Sequence, residues 1–264
     1  NTEVMITSTA NQQIKHLIQL QKKAKCRKEE GVFVVEGLKM FQEAPADWIV
    51  KSYVSEHFME KEEHRKAVKT RNVLVVSDDV FGRISDTCTP QGILSIVKRP
   101  SWSLEQMLDG KNPCLLLLEN IQDPGNLGTM VRTGEGAGIT GILMSPETAD
   151  IYNPKTIRST MGSIYRVPIL YAEDFRRTVR DLKKKKISVY AAHLKGTAFY
   201  DEKDYTGPSA FLIGNEGNGL TDETAALATD YIRIPMSGQV ESLNAAVAAS
   251  ILMYEVSRQR RISG

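Results

Sequence analysis

The sequence predicts an α/β protein with two parts, a C-terminal half built on a parallel sheet and a smaller α/β unit before it. Short apolar runs alternate with helical patterns along the chain. In the C-terminal half these runs are continuously apolar, as in Cys114–Leu118, which is typical of strands covered on both faces. A polar joint with two prolines separates the halves near residues 98–113. We therefore expect domains at 1–105 and 113–264 in this chain of 264 residues.

The N-terminal elements follow from residue type. Runs rich in β-branched and aromatic residues predict strands at 32–35, 49–54, 73–76 and 93–97. The segments between them predict helices at 38–43, at 56–68 and from Asp78 onward, of which the second is charged and amphipathic. Together these elements predict a small α/β unit.

The C-terminal elements show the same alternation more strongly. Apolar runs predict strands at 114–118, 141–144, 187–192, 210–213 and 231–234. Helices are predicted at 127–137, 174–185, 221–227 and 243–256, and Thr221 is a natural N-cap for the third of them. Apolar strands that alternate with helices favour a parallel sheet.

Composition excludes several kinds of protein. The apolar content of 41% and charged content of 25% are ordinary globular values, and the net charge of +2 does not by itself indicate nucleic-acid binding. The three cysteines form no zinc-type spacing and no disulfide framework, so we expect a reducing, cytoplasmic location and no metal. No apolar run approaches the roughly 18 residues of a spanning helix, and no signal-peptide pattern follows Asn1, so we expect no membrane association.

Three segments carry more polar and small residues than plain structure needs. The first, from Asn120 to Thr133, follows a strand and opens a helix, with Asn126 at the expected N-cap and Arg132 on the helix six positions later. A strand–turn–helix junction of this kind is where α/β proteins place ligand-contacting groups. A well-capped helix with a solvated arginine explains this segment equally well when it is taken alone.

The second segment, 211–220, runs from a strand into three glycines within six residues and contains Glu216. Glycines permit close approach of backbone to a ligand, although a glycine-rich connection of no consequence is the alternative. The third segment, 232–250, ends a strand and opens an alanine-rich helix, for which Ser242 is the expected cap. For Ser242 and Asn244 a capping role and a ligand-contacting role both stay open.

All three segments lie at the carboxyl ends of predicted strands. Those ends meet along one edge of a parallel sheet, which is where ligands bind. We therefore expect the loops that bear Asn126, Glu216 and Asn244 to converge on one cleft.

In these three segments the chain resembles the SpoU family of RNA methyltransferases, within the SPOUT superfamily. The matching residues of the first motif are Asn120, Asp123, Pro124, Asn126, Gly128, Arg132 and Thr133. The second motif is matched by Gly214, Glu216 and Gly217, and the third by Ile234, Pro235, Met236, Ser242, Leu243 and Asn244. One departure is Gly134, where the family often has alanine.

The resemblance implies a fold, a cofactor and an assembly. It implies a deep trefoil knot in the C-terminal domain, S-adenosylmethionine bound among the knot loops as methyl donor, and a homodimer with the C-terminal helix near the interface. The residues it assigns to cofactor binding are Ala192, His193, Leu194, Gly214, Asn215, Gly217, Ile234, Met236, Leu243 and Asn244.

The implied reaction is methyl transfer to a ribose 2′-hydroxyl of RNA. Arg132 would engage the attacking hydroxyl, either as a base or as an orienting group, because free arginine stays protonated. Asn126 would position Arg132 or the ribose, Glu216 would pair with that arginine, and Ser242 and Asn244 would complete the catalytic group.

The N-terminal half resembles the small RNA-substrate-binding domain attached to many family members, which favours ribosomal RNA. Its basic residues are expected to neutralise phosphates, unless they form a merely solvated face. These residues are Lys15, Lys22, Lys23, Lys25, Arg27 and Lys28.

Three other functions compete with this one. A transfer-RNA ribose methyltransferase and a non-catalytic RNA-binding module are kept as alternatives. A nicotinamide-dependent oxidoreductase is disfavoured, because neither 32–35 nor 114–118 is followed by the glycine pattern that such enzymes need.

Overall fold

The computed structural model describes residues 4–264, which form two compact units. The first unit comprises the chain up to Pro100 together with 150–165, and the second comprises Ser101–Ala149 and Arg166–Gly264. The sequence indicated a single break instead. The inserted segment packs in the first unit because the ring of Tyr152 lies 5.1 Å from that of Phe33, and the hydroxyl of Tyr165 donates to the carbonyl of Met40 at 2.8 Å.

The secondary structure of the described residues is as follows, in chain order. The strands are β1 (Val32–Glu36), β2 (Ile49–Ser55), β3 (Val73–Val76), β4 (Ile93–Lys98), β5 (Cys114–Leu118), β6 (Gly141–Met144), β7 (Ile169–Tyr171), β8 (Ser188–Ala192), β9 (Ala198–Phe199), β10 (Ser209–Ile213) and β11 (Asp230–Arg233). The helices are α1 (Gln12–Lys22), α2 (Ala24–Glu30), α3 (Leu38–Glu43), α4 (Glu56–Glu60), α5 (Glu62–Val68), α6 (Asp78–Ile84), α7 (Leu104–Met107), α8 (Pro124–Ala137), α9 (Pro154–Thr160), α10 (Phe175–Lys184), α11 (Asp222–Ala225) and α12 (Ala245–Ser263). Short 3₁₀ helices lie at Ala46–Trp48, Ser163–Tyr165 and Tyr200–Glu202.

The first unit is built on a four-stranded mixed sheet in the order β1-β4-β2-β3. β4 is antiparallel to both neighbours, whereas β2 and β3 are parallel. α1, which the sequence reading left unassigned, buries Ile14, Leu17 and Leu20 against this sheet because their spacing places them on one helix face. The single helix predicted over 56–68 is two helices that meet at Lys61.

The second unit is built on a seven-stranded sheet in the order β7-β6-β5-β10-β8-β11-β9. Every paired strand in it is parallel, as predicted. All residues of the adjacent strands β5 and β10 are buried, which explains their unbroken apolar character. β7 and β9 were not predicted because they have only three and two residues.

Two predicted helix starts are wrong, and both errors concern the site segments. α8 begins at Pro124, and its N-cap is Asp123, whose carboxylate accepts from the backbone N–H of Asn126 at 2.7 Å. Proline suits the first helical position because its missing N–H would be unpaired there. α12 begins at Ala245 with Asn244, not Ser242, as N-cap. The cap predicted at Thr221 is confirmed. Every helix in the described residues is too short or too polar to cross a membrane.

Candidate active site

A cleft of about 310 Å³ lies in the second unit, beside the carboxyl ends of β8, β10 and β11. Parallel strands bring their carboxyl ends to one edge, so three loops that are distant in sequence reach it together. The residues that line it are Ala192, His193, Leu194, Ile213, Gly214, Asn215, Glu216, Gly217, Asn218, Gly219, Leu220, Ile232, Arg233, Ile234, Met236, Glu241, Ser242, Leu243, Ala245, Ala248 and Leu252.

The loop after β10 folds back on itself to form one wall of the cleft. The backbones of Asn215 and Gly219 exchange hydrogen bonds of 3.2 and 2.9 Å. The side-chain oxygen of Asn215 also accepts from the N–H groups of Gly217 and Asn218, each at 3.0 Å. A Cβ at Gly214 would lie 2.1 Å from the nitrogen of Leu220, so only glycine allows this close approach of backbone.

Glu216 connects this loop to the segment after β5. Its carboxylate accepts from the backbone N–H of Gln122 at 3.0 Å and from that of Asp123 at 2.9 Å. The predicted pairing of Glu216 with Arg132 is therefore replaced by hydrogen bonds to the backbone that leads into α8. The reason is that unpaired N–H groups at a helix start attract a carboxylate.

Asn244 connects the loop after β11 to the segment after β5. Its side-chain oxygen caps α12 by accepting from the N–H groups of Ala246 and Val247 at 2.9 and 3.2 Å. Its amide nitrogen donates to the side-chain oxygen of Asn126 at 3.0 Å. Capping, one of the two roles that the sequence left open for Asn244, is thus confirmed, whereas its contact with a ligand stays a prediction.

Most of the predicted site residues lie in or beside the cleft, and Arg132 does not line it. Nine of the ten expected cofactor contacts line the cleft, and the tenth, Asn244, lies beside it. Of the expected catalytic residues, Glu216 and Ser242 line the cleft. Asn126 lies at the margin of the cleft, where it accepts the hydrogen bond from Asn244. Arg132 is not in the lining. It is exposed, and among residues 4–264 its side chain makes no hydrogen bond or ion pair.

Two polar residues behind the site were missed as functional candidates. Glu119 is buried, with 4% of its surface exposed, and accepts from the N–H and hydroxyl of Thr221 at 2.7 and 3.0 Å and from the hydroxyl of Thr224. The side chain of Ser145 bridges the backbone N–H and the side-chain oxygen of Asn120, at 2.8 and 2.9 Å. A carboxylate directly after five apolar residues was the available signal, because buried acids need partners.

The N-terminal basic residues divide by exposure. Lys15, Lys22, Lys23, Lys25 and Lys28 are exposed. Arg27 is buried, with 1% of its surface exposed, and it pairs with Asp150 at 2.7 Å and donates to the carbonyls of Leu20 and Gln21. The expectation that Arg27 presents its charge to RNA is therefore wrong, since the guanidinium holds α2 to the inserted segment inside the first unit.

Within residues 4–264 no group of three or more histidine, cysteine, aspartate or glutamate side chains is arranged to hold a metal ion.

Comparison with known proteins agrees with this architecture. A model of the SpoU rRNA Methylase family matches residues 113–254, and one of the MRM3-like substrate binding domain matches residues 11–95. This chain belongs to the SpoU rRNA methylase family.

Relatives of nearly the same length share both units. The 23S rRNA (guanosine(2553)-2′-O)-methyltransferase RlmP of Bacillus subtilis (strain 168) is 34% identical over 256 residues, which cover 95% of this chain and 98% of that protein. The AdoMet-bound rRNA methyltransferase of Sinorhizobium meliloti is 32% identical with a TM-score of 0.82, covering 97% of each chain. The SpoU methyltransferase AviRb of Streptomyces viridochromogenes, in complex with the cofactor AdoMet, is 25% identical with a TM-score of 0.87, covering 96% of this chain and 99% of that one.

Proposed function

We propose that this protein transfers the methyl group of S-adenosylmethionine to a ribose 2′-hydroxyl of ribosomal RNA, in the cytoplasm. The observation that supports it most is the convergence of three loops at the cleft, joined by the Asn126–Asn244 and Glu216–backbone hydrogen bonds. Family membership and the names of full-length relatives support the same reaction and the choice of ribosomal over transfer RNA.

The residues around the cleft fit S-adenosylmethionine. The volume of about 310 Å³ is at the lower end of ligand-site volumes, which run from roughly 300 to 1,000 Å³, and the cleft is open on one side. Gly214 lets the loop after β10 close tightly against its own backbone to form one wall of the cleft, and Leu194, 63% exposed at the rim, offers an apolar surface for an adenine ring. Backbone groups near Gly214, Ile234, Met236 and Leu243 would hold the adenosine.

The remaining chemistry is orientation of the ribose and its hydroxyl. Bound S-adenosylmethionine supplies a methyl group already activated by its sulfonium. The guanidinium of Arg132 is free in the described structure and can hold a phosphate or polarise the 2′-hydroxyl, which is a poor nucleophile until its proton is drawn away. Asn126, fixed by Asn244, orients the ribose, and Glu216 acts as a positioning residue that fixes the entry to α8.

A homodimer and a trefoil knot, both implied by the family resemblance, belong to this proposal. The outer face of α12 supports a second copy, because Val247, Tyr254 and Ile262 expose 48%, 51% and 69% of their surfaces. Apolar side chains repeated along one helix are typical of interaction faces.

The test of the catalytic assignment is Arg132→Ala. We expect methyl transfer to ribosomal RNA to fall at least about 100-fold, the usual contribution of a positioned proton-transfer group, while S-adenosylmethionine binding measured by titration calorimetry is unchanged. The control is Arg83→Ala, which removes an exposed arginine paired with Asp79 in the first unit. Normal turnover by the Arg132 variant would refute the assignment.

The substrate is tested separately by mass spectrometry of ribosomal RNA from a strain that lacks this gene. Loss of one ribose methyl group identifies the target nucleotide. An unchanged methylation pattern, with a methyl group missing from transfer RNA instead, would move the substrate to that class.

A further inference from the structure

The first unit contains a second cleft, of about 450 Å³, that the proposed reaction does not use. It lies where β1 and β2 end, between α3, α4, α5 and the residues that precede β4. Its lining is Leu38, Lys39, Gln42, His57, Phe58, Lys61, His64, Pro90 and Gln91. That set holds two lysines, two histidines and two glutamines, with no acidic residue.

Several of these side chains are held in place by the fold. Gln91 accepts from the backbone N–H of Leu38 at 2.9 Å through its side-chain oxygen, which leaves its amide NH₂ as a donor. His64 stacks on the buried ring of Phe58, with centroids 4.2 Å apart, and its Nδ1 lies 2.9 Å from the carbonyl oxygen of Phe58. Because a carbonyl only accepts, Nδ1 carries the proton. The other ring nitrogen lies 3.9 Å from the exposed carboxylate of Glu63, beyond hydrogen-bonding distance.

The cations stand at the rim of the same cleft. Lys39 and Lys61 are exposed, and the ammonium of Lys39 lies 4.0 Å from Glu43. His57 is also exposed, and its Nδ1 lies 3.1 Å from Glu60. Neither carboxylate is part of the lining, so the cleft itself presents donors and positive charge.

We propose that this cleft binds one unpaired nucleotide of the RNA substrate. Lysines are suited to a phosphate, glutamine amides to the hydrogen-bonding edge of a base, and imidazole rings with the apolar Leu38 and Pro90 to its faces. Proteins recognise RNA mainly through unstacked bases of this kind, because side chains cannot reach the bases inside an A-form helix. The inference rests on the proposed function, since that function supplies RNA as the substrate.

The first experiment follows the histidine ring signals by NMR in the full chain saturated with S-adenosylhomocysteine. The protein has four histidines: His57 and His64 in this cleft, His16 paired with Glu30 on the first unit's surface, and His193 in the other cleft. Adding the four nucleoside 5′-monophosphates in turn should shift the signals of His57 and His64 saturably with at least one of them, and leave His16 and His193 in place. Unmoved His57 and His64 signals, or the same shifts with inorganic phosphate alone, would overturn the proposal.

The second experiment uses a matched pair of charge variants and a labelled single-stranded uridine octanucleotide. In Lys39→Gln/Lys61→Gln, the slope of log K against log salt should decrease by about 0.7, the value for one lost phosphate contact on a single strand. Lys66→Gln/Lys69→Gln removes two exposed charges from the same unit outside the cleft, where Lys66 pairs with Glu62 at 2.7 Å, and should leave the slope unchanged. If thermal unfolding shows that both variants are folded, equal salt-dependence slopes in the two would contradict the inference.

Failure of this inference and failure of the proposed function are distinguishable. If the wild-type protein methylates RNA but its His57 and His64 signals stay unmoved, only the nucleotide cleft is wrong. If those signals shift but the protein methylates no RNA, the cleft stands and the proposed reaction is wrong.

Discussion

Gly214 shows how much a single residue contributes to this site. The strand β10 ends one residue earlier, and the chain must return within five residues to place Gly219 beside it. A Cβ would lie 2.2 Å from the carbonyl carbon of Gly219, which is rigid backbone and cannot move aside. Any side chain at position 214 is therefore excluded by the fold, and the backbone of Gly219 and Leu220 that packs there forms part of the cleft wall.

We expect Gly214→Ala to destabilise the second unit by about 1–3 kcal/mol, the usual cost of overpacking, and to weaken S-adenosylmethionine binding. Gly238→Ala is the control in the second unit, because a Cβ there would meet no atom within 4 Å. Urea unfolding and titration calorimetry measure the two effects. Equal behaviour of both variants would show that the close approach at Gly214 is unimportant.

A second prediction for a single residue concerns the buried carboxylate of Glu119. Its carboxylate is the buried acceptor for Thr221 and Thr224, so Glu119→Ala leaves the N–H of Thr221 without its acceptor, whereas the two hydroxyls keep their bond to each other at 3.0 Å. We expect a loss of about 1–3 kcal/mol for each buried group left unsatisfied. Glu147→Ala, an exposed acid in the loop after β6, is the control. Unchanged urea midpoints in the Glu119 variant would contradict the prediction.

At the scale of an element, α8 and α12 each begin with a capping side chain, and the cap of α12 also contacts a site residue. Asp123 caps α8, and Asn244 caps α12 while it holds Asn126. Capping restricts these side chains to one orientation, so the site residues at the helix starts are fixed before any ligand binds.

The two first-turn residues of α8 should separate stability from activity. Asp123→Ala removes the cap and should cost about 1 kcal/mol of stability. Asn126→Ala leaves the cap intact and removes only the exposed hydrogen bond to Asn244, so it should reduce methyl transfer with little change in stability. Thermal unfolding and turnover are measured for both variants. A lower stability of Asn126→Ala than of Asp123→Ala would contradict this prediction.

At the scale of the whole molecule, one buried thiol makes the stability of the second unit depend on pH in alkaline solution. Cys114 begins β5, is 2% exposed, and has its pKa raised to about 11 by burial, an effect that the charge of Arg260 partly opposes. In the unfolded chain a cysteine ionises near pH 8.5. The buried neutral thiol therefore contributes stability that is fully present below that pH and is lost as the pH rises towards 11.

Wild-type protein should lose about 1.4 kcal/mol of stability per pH unit between roughly pH 9 and 11 through this thiol. Cys114→Ala should lose less unfolding free energy over the same pH range, because it has no thiol to ionise. This holds whatever the stability of the variant at pH 8. Urea unfolding at pH 8 and pH 10 provides the comparison. Parallel declines in both proteins would exclude the thiol as the cause.

The amino-acid sequence alone determined the order of most elements and the location of the site. The strands of the second unit, such as Cys114–Leu118, are continuous apolar runs whose length and composition are local properties. The loops with Asn126, Glu216 and Asn244 follow the carboxyl ends of such strands. Because parallel strands bring these ends to one edge of the sheet, the sequence placed the three loops at one cleft.

Only the tertiary structure decided which polar groups meet. Glu216 binds the backbone before α8 and not Arg132, and Arg27 is buried against Asp150, 123 positions away in the chain. The insertion of 150–165 into the first unit has the same origin, since Tyr152 and Tyr165 find their partners there. Such pairings depend on distances between residues far apart in sequence, and these distances exist only after the chain has packed, whereas periodicity and turn chemistry act over a few neighbouring residues.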